Sequence, residues 1–398
     1  MSKQDVLGAD SVDVRTTLRP LACTYAGVKR EGAFVVLAIG FVVAVGYDAF
    51  HEIPPIADDL WMIEFKPGQI FLTYGAEHGW VGRVLGQIVI DTVNSIARVF
   101  GGDLRVPLIL VRSLSLALVF GCLNRQFAQS IPISLAAMVL FGLTPAAGET
   151  WAMLCTSNLT LAAPAALFAC AFFWRSALRA IAGKLDWKLI GYALLMQTVA
   201  NALYEQAVLA VPSFSVVLIL LLSLKDRLSW ERGVVIASAS VAASLIWLAS
   251  LFVSGYVASR STASAGFEAS DVTGGLNALW IAFGEHNLWR AVELIRAGRL
   301  GWWDSSAAGA LGMISAIALA ILIGFLVASL KRGDSDRSSS DQADNRVPNT
   351  PVIIAAACAA LAAVLPAGFA VDGFIMYSRM FYLPGLFIAL SIALILRS

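Results

Sequence analysis

Two adjacent carboxylates, Asp58 and Asp59, form the most informative pair of side chains in this sequence. Carboxylates can accept protons during catalysis, whereas a single aspartate can cap the first turn of a helix. The pair lies between a long apolar segment and an amphipathic one, and one acidic residue would be enough for a cap. We therefore predict a functional role for the pair, with helix capping as the structural alternative.

Two further polar clusters interrupt apolar stretches of the chain. Glu149 follows Pro145 in a short connecting segment, and Tyr204-Glu205-Gln206 divides one long apolar stretch into two. Ionisable groups in such settings are candidates for a functional role in membrane proteins. An ordinary hairpin turn is the alternative explanation for each glutamate.

The histidines and cysteines do not have the spacing of a metal site. There are three histidines, and five scattered cysteines contain no C-x-x-C pair. We therefore expect no His-based metal site and no cofactor, and carboxylate-bound Mg²⁺ or Mn²⁺ stays an open alternative. His78 and Trp80 lie close to Gly82-Arg83, and Trp80 can act as an interfacial anchor or as a stacking surface for a sugar.

Membrane-spanning helices are the elements that must position these residues. Apolar residues make up 59% of the chain and charged residues 14%, and the net charge of +1 argues against a nucleic-acid partner. A span needs about 20 mostly apolar residues, and solidly apolar runs favour helices over the alternating strands of a barrel. We predict an all-α, polytopic transmembrane bundle with about ten spans. The predicted spans are 33–50, 106–123, 129–145, 154–174, 188–204, 207–224, 233–255, 306–330, 351–370 and 380–396.

Basic residues in short loops predict the orientation of the bundle, because such loops face the cytoplasm. Five basic groups fall on one side if segment 82–100 does not cross the membrane, and both termini are then cytoplasmic. These groups are Lys29/Arg30, Arg125, Arg175/Arg179/Lys184, Lys225/Arg227/Arg232 and Lys331/Arg332/Arg337.

Segment 82–100 has the pattern of an amphipathic helix, with polar residues every three or four positions. The polar positions are Arg83, Gln87, Asp91, Asn94 and Arg98. A polar stripe of this width suits a helix that lies in the membrane interface. The alternative is a tilted span whose polar stripe faces other helices.

These assignments divide the chain into four parts and two large extracytoplasmic loops. The parts are a cytoplasmic N-terminal tail (1–32), a transmembrane core (33–330), a disordered cytoplasmic linker (331–350) and a C-terminal transmembrane hairpin (351–398). The loops are 51–105, which holds the interfacial amphipathic helices, and 256–305. The polar clusters described above then lie on the side opposite the basic loops.

Four short motifs follow a recognisable order along the chain. They are Asp58-Asp59 in an early external loop, Gly82-Arg83-Val84-Leu85 at the start of an amphipathic helix, Val111-Arg112 near the outer end of the second span, and Tyr204-Glu205-Gln206. With this layout the chain resembles the membrane glycosyltransferases of the C superfamily, which use polyprenyl-phosphate-linked sugars. It is most similar to the O-antigen glucosyltransferases (the Gtr type), and the likeness is strongest over residues 33–125.

The resemblance implies an inverting transfer of a sugar from a polyprenyl-phosphate carrier to an extracytoplasmic acceptor. Such an enzyme would lie in the bacterial inner membrane, with membrane lipids and a glycan or glycolipid acceptor, such as O-antigen or lipopolysaccharide, as partners. Asp58 would be the general base and Asp59 the second candidate. Arg83 and Arg379 would bind the donor phosphate in a bidentate manner, with anchoring at the membrane interface as the alternative for both. The substrate-binding candidates are Glu149, Tyr204, Glu205, Gln206, Trp80 and His78.

A membrane transporter or lipid flippase is the main alternative function, and a structural membrane protein is a third. Transporters usually show internal repeats, or broken spans that place polar groups near the midplane of the membrane. The predicted spans of this chain lack ionisable midplane residues, and the charges gather at one surface. This distribution favours surface chemistry over transport.

Overall fold

The computed structural model describes residues 25–50, 66, 68, 69, 84–143, 156–204, 206–259, 349–370 and 382–397. Within these ranges the regular structure is entirely helical, as predicted. The helices are α1 (Tyr25–Phe50), α2 (Val84–Val99), α3 (Arg105–Gly121, extended by a π-helical turn over Cys122–Gln126), α4 (Ile131–Gly142), α5 (Ser157–Ile181), α6 (Trp187–Leu203), α7 (Ala207–Leu224), α8 (Trp230–Ser259), α9 (Thr350–Ala370) and α10 (Tyr382–Arg397).

Within the described ranges, four helical stretches are long and apolar enough to cross a membrane: Arg105–Gln126, Ser157–Ile181, Ala207–Leu224 and Trp230–Ser250. Shorter apolar helices cover Gly32–Ala44, Ile131–Gly142, Thr350–Ala363 and Tyr382–Leu396. Helices of this composition satisfy their own backbone hydrogen bonds in lipid. The described part of the chain therefore has the length and composition of helices typical of a membrane protein.

Each predicted span coincides with a helix, except 306–330, which lies outside the described residues. Two boundaries differ most from the prediction: α1 begins at Tyr25, before the predicted start at residue 33, and α5 continues beyond the predicted end at residue 174 to Ile181. The continuation is possible because Arg175 is satisfied inside the protein. Its guanidinium donates hydrogen bonds to the carbonyl oxygens of Arg125 at 2.6 Å and Gln126 at 3.2 Å.

Helix α5 forms the centre of the bundle, and small side chains allow its neighbours to approach closely. It packs against α2, α3, α6, α7 and α10, and the contacts between α5 and α6 and between α7 and α9 are the most extensive. The fully buried small residues of α5 include Ala162, Ala163, Ala166, Ala169, Ala171 and Ala177. A similar row on α9 consists of Ala355, Ala356, Ala359 and Ala363.

Helix α2 turns its polar stripe toward other helices. Gln87, Asp91 and Asn94 are buried, while Ile88 and Val99 on the apolar face are exposed. The helix packs with its buried face against α3, α5 and α6. The three buried residues agree with the alternative of a polar stripe that faces other helices, whereas Arg98 of the same stripe is exposed. Whether α2 lies in the membrane interface or crosses the membrane stays a prediction.

Candidate functional site

Gly86 of α2 lies where three helix ends meet. A β-carbon added to Gly86 would lie 2.7 Å from both Asn158 Nδ2 and the carbonyl oxygen of Leu203. Asn158 Nδ2 in turn donates a hydrogen bond to the Leu203 carbonyl at 3.0 Å. Real β-carbons do not come this close to other heavy atoms, so only glycine fits without a shift. The starts of α2 and α5 and the end of α6 therefore converge.

Tyr382, the first residue of α10, joins further helix ends to this region. Its fully buried ring lies with its centroid 4.7 Å from that of Phe141, near the end of α4. Tyr382 also interacts electrostatically with Arg112 of α3. The contacts thus link the end of α4, the start of α10 and the middle of α3.

Arg112 lies level with the first turn of α5. One turn further along α3, the Ser115 hydroxyl donates to the carbonyl oxygen of Thr160 at 2.6 Å. At the far end of both helices, Arg175 Nε donates to the Gln126 carbonyl. These two contacts show that α3 and α5 run in the same direction, so Arg112 is at the height of Ser157. We call the region defined by Gly86, Phe141, Arg112, Asn158 and Tyr382 the polar end of the bundle.

Most of the predicted site residues lie outside the described residues. They are Asp58, Asp59, His78, Trp80, Arg83, Glu149, Glu205 and Arg379. Their segments are nevertheless connected to the polar end, because Arg83 directly precedes α2 and segment 144–155, with Glu149, joins α4 to α5. In the same way Glu205 follows α6 after one residue, and segment 371–381, with Arg379, precedes α10.

Tyr204 and Gln206 are the two predicted substrate-binding residues that the structure describes. Tyr204 ends α6 in an extended conformation, with φ −157° and ψ 132°, and its N–H donates to the carbonyl of Ala200. Gln206 is buried and precedes the first residue of α7. The predicted break between the two apolar segments is therefore present, and it lies at the polar end beside Leu203.

Asp91 and Arg112 are the two charged side chains that are buried within the described part of the chain, with 7% and 5% exposure. A β-carbon added to Gly68 would lie 4.0 Å from Asp91 Oδ2. Gly68 lies in the segment between α1 and α2, so this part of the segment reaches α2 at Asp91. An open pocket of about 410 Å³ lies along the same helix and has Asp91 in its wall.

Three buried side chains near this end have polar atoms without a hydrogen-bond partner. They are Gln87 Oε1, Ser157 Oγ and both amide atoms of Asn201. Buried polar groups are normally hydrogen-bonded, and exceptions often mark a site that is filled by a ligand or water. The unsatisfied atoms therefore offer donors and acceptors to a polar substrate.

A different arrangement stabilises the opposite end of the bundle, which we call the basic end. Arg175 donates to the carbonyls that end the π-helical turn, and Arg232 Nη1 donates to the carbonyl of Ala180 at 3.0 Å, near the end of α5. Guanidinium groups at helix C-termini satisfy free carbonyls and complement the helix dipole. Three of the five basic groups predicted to share one side, those at Arg125, Arg175 and Arg232, are thus together.

Sequence reasoning did not single out Asn158 or Asn201, and it named Arg112 and Asp91 without a role. The available signal was an isolated amide inside an apolar segment, which in a membrane helix requires a partner or a function. Within the described ranges, no group of three or more His, Cys, Asp or Glu side chains could hold a metal ion.

In chemical terms, the polar end combines one buried guanidinium and one buried carboxylate with unpartnered polar atoms of Gln87, Ser157 and Asn201. Such groups suit a molecule with hydroxyls and an anionic part. A comparison of the chain with protein-family models, with curated proteins and with solved structures found no match.

Proposed function

We propose that the protein is an integral membrane glycosyltransferase that moves a sugar from a polyprenyl-phosphate carrier to an extracytoplasmic acceptor. One observation carries the proposal: Gly86, Asn158 and Leu203 bring together the helix ends that flank Arg83, Glu149 and Glu205. The contact between Tyr382 and Phe141 brings the start of α10, the helix that follows Arg379, to the same end of the bundle. All candidate residues thus belong to segments attached to one end of the bundle, away from the arginines of the basic end.

The proposed reaction uses the chain's own side chains as follows. Asp58 takes the proton of the acceptor hydroxyl while the oxygen of that hydroxyl forms a bond to the anomeric carbon. Asp59 is the second candidate for the base. The bond between the anomeric carbon and the phosphate oxygen breaks, and polyprenyl phosphate leaves with the electron pair. Arg83 and Arg379 stabilise the charge that develops on the phosphate. Polar residues such as Tyr204 and Gln206 contact the sugar or the acceptor.

The finer topology is part of the proposal. It comprises about ten spans, two extracytoplasmic loops at 51–105 and 256–305, and both termini in the cytoplasm of a bacterial inner membrane. The clustering of Arg125, Arg175 and Arg232 at one end supports it, because short basic loops face the cytoplasm. The polar end then faces outward, where lipid-borne donors and glycan acceptors are available.

An Asp58→Asn variant tests the proposal, with Asp186→Asn as the matched control. Asp186 caps α6 at the basic end, and asparagine is an equally good cap. The test measures transfer from a polyprenyl-phosphate hexose to a glycolipid acceptor in proteoliposomes, at equal protein levels. We expect Asp58→Asn to lower the rate by about 100-fold or more, since a general base contributes roughly that much. Normal transfer by this variant would refute the assignment of Asp58.

A transporter or lipid flippase is the second candidate function. Burial of Asp91 and Arg112 inside the bundle favours it, because buried ionisable groups often mark transport pathways. The same proteoliposomes separate the two functions. Movement of the lipid-linked sugar across the bilayer without any transfer product would establish transport and exclude the glycosyltransferase.

A further inference from the structure

Helices α5 and α7 each contain a proline close to the polar end of the bundle. Pro164 lies inside α5 and Pro212 inside α7, within about two turns of the start of each helix. Proline has no N–H group, so the carbonyl four residues earlier loses its regular donor within the helix. The carbonyls concerned are those of Thr160 and Val208. Inside a membrane protein such a carbonyl needs another donor.

A serine of a neighbouring helix supplies that donor in both cases. The Ser115 hydroxyl of α3 donates to the Thr160 carbonyl at 2.6 Å. The Ser244 hydroxyl of α8 donates to the Val208 carbonyl at 2.7 Å. Both serines are buried, so water does not compete for these bonds. Two helices that start at the polar end are thus tied to their neighbours in the same way, at the carbonyl that a proline frees.

The direction of the Ser244 hydroxyl is set by a third helix. Gln197 Nε2 of α6 donates to Ser244 Oγ at 2.9 Å. Because the oxygen accepts this bond, the hydroxyl proton is left to point at the Val208 carbonyl. The start of α7 is therefore held by a chain of hydrogen bonds that runs from α6 through α8.

We infer that Ser115 and Ser244 are positioning residues, which fix the direction of the turns of α5 and α7 that precede the prolines. A helix can bend at a proline because a backbone hydrogen bond is missing there. Each serine replaces the missing bond and attaches the carbonyl to another helix. The turns concerned continue into segments 144–155 and 204–206, which carry the substrate-binding candidates Glu149 and Glu205. The role in the reaction rests on the proposed function, whereas the capping of the two carbonyls does not.

Double-mutant cycles on the purified full-length protein in detergent test the capping without any transfer reaction. Ser115→Ala is expected to lower the unfolding temperature by about 3 °C, because it leaves a buried carbonyl without a donor. In a Pro164→Ala background the backbone N–H gained at position 164 serves that carbonyl, so the same substitution should lower it by about 1 °C or less. Ser244→Ala and Pro212→Ala form the second cycle. Equal losses in both backgrounds would overturn the capping.

The matched control is Ser215→Ala in α7. Ser215 is also fully buried, and its hydroxyl donates to the Pro212 carbonyl at 3.0 Å. That carbonyl keeps its regular helical donor four residues later, so loss of the hydroxyl should lower the unfolding temperature by about 1 °C or less.

Amide hydrogen exchange gives a local readout in the single variants. In Ser115→Ala the amides of residues 161–163 should exchange about tenfold faster than in the unchanged protein, because the turns before Pro164 lose their attachment to α3. The amides of residues 165–177, beyond the proline, should exchange at an unchanged rate. An equal increase along the whole of α5 would assign Ser115 to general stability and would refute its positioning role.

Steady-state sugar transfer in proteoliposomes tests the consequence for the proposed reaction. Ser115→Ala and Ser244→Ala should each raise the KM of the polyprenyl-phosphate hexose or of the acceptor by about fivefold, because candidate binding groups move. The kcat per folded molecule should change by less than about twofold. A loss of active protein alone would lower kcat and leave both KM values unchanged. Ser215→Ala should change neither quantity.

The outcomes separate this inference from the proposed function. If sugar is transferred and both KM values are unchanged in the two serine variants, the positioning role is wrong and the glycosyltransferase proposal stands. If each serine is coupled to its proline and exchange changes only before the proline, but no sugar is transferred, the serines still position the helix starts. The glycosyltransferase proposal then fails.

Discussion

The two ends of the bundle treat their polar groups in different ways. At the basic end, Arg175 and Arg232 donate to helix-terminal carbonyls, so these charges stabilise the fold. At the polar end, Arg112 is buried, and both amide atoms of Asn201 lack a partner in the structure. The arginines of the basic end therefore have identified structural partners, whereas the Asn201 amide at the polar end has none in the structure. Substitution of these arginines should change stability, and substitution of Asn201 should change function.

Gly86→Ala is expected to produce the largest effect on stability. The added β-carbon would lie 2.7 Å from Asn158 Nδ2 and from the Leu203 carbonyl, and the backbone carbonyl cannot move freely. Overpacking of this kind should lower the free energy of unfolding by about 3 kcal/mol. The control is Gly191→Ala in α6, which meets nothing within 4 Å and should gain up to about 1 kcal/mol. Thermal unfolding in detergent measures both, and equal stability of the two variants would contradict the close approach at the polar end.

Gln197→Leu and Asn201→Leu compare two buried amides that are one turn apart on α6. Gln197 donates to the Ser240 carbonyl and the Ser244 hydroxyl and accepts from the Ser240 hydroxyl, each at 2.9 Å. Its loss should lower the free energy of unfolding by about 2 kcal/mol, because the Ser240 hydroxyl loses its acceptor and two hydrogen bonds donated by the Gln197 amide are lost, while Ser244 keeps its bond to the Val208 carbonyl. Asn201→Leu should leave stability unchanged or raise it, and should lower sugar transfer. A stability loss for Asn201→Leu as large as that for Gln197→Leu would remove the distinction between the two amides.

Arg175→Met tests whether the basic end is structural. The variant leaves the carbonyls of Arg125 and Gln126 without their donor, so the free energy of unfolding should fall by about 1.5 kcal/mol. Transfer activity for each folded molecule should not change. Arg227→Met, which alters an exposed arginine of the same end, should affect neither quantity. If Arg175→Met lost transfer activity at unchanged stability, the basic end would take part in the transfer reaction, which contradicts the proposal.

The smallest expected effect concerns Asp186, a carboxylate of the basic end. Its Oδ1 accepts from the N–H groups of Lys188 at 3.1 Å and Leu189 at 3.2 Å, so it caps α6. Asp186→Ala should lower the free energy of unfolding by about 1 kcal/mol, while Asp186→Ser should largely retain the cap. Unfolding curves of both variants check the prediction. If both variants lost the same free energy of unfolding, the negative charge of Asp186 would stabilise the helix and its capping hydrogen bonds would not.

Prediction from the sequence succeeded where a local pattern carried the information. The apolar runs located helices such as α7, whose bounds at Ala207 and Leu224 match the prediction, and Tyr204-Glu205-Gln206 indicated the break before it. Prediction was weaker for α2, because an amphipathic pattern shows only that two faces differ. It does not show whether water or other helices cover the polar face.

The same limit explains why the polar end was predicted only in part. The motif residues Asp58, Arg83 and Arg379 were chosen by type and by resemblance, and their roles stay predictions. Arg112 appeared as part of a motif without a role, and Asn201 had no motif at all. Their burial depends on contacts between helices that are far apart in the sequence, and no local pattern encodes such contacts.

The sequence by itself predicted a helical membrane protein, because runs of about 20 apolar residues satisfy their backbone groups in lipid as helices and lack the alternating polarity of barrel strands. It also determined where most helices begin and end. The tertiary structure alone decided which polar side chains meet, since Gly86 must touch Asn158 and Leu203 before the ends of α2, α5 and α6 can converge. It likewise decided that Arg112 lies level with the first turn of α5, because α3 and α5 pack in the same direction with Ser115 opposite Thr160.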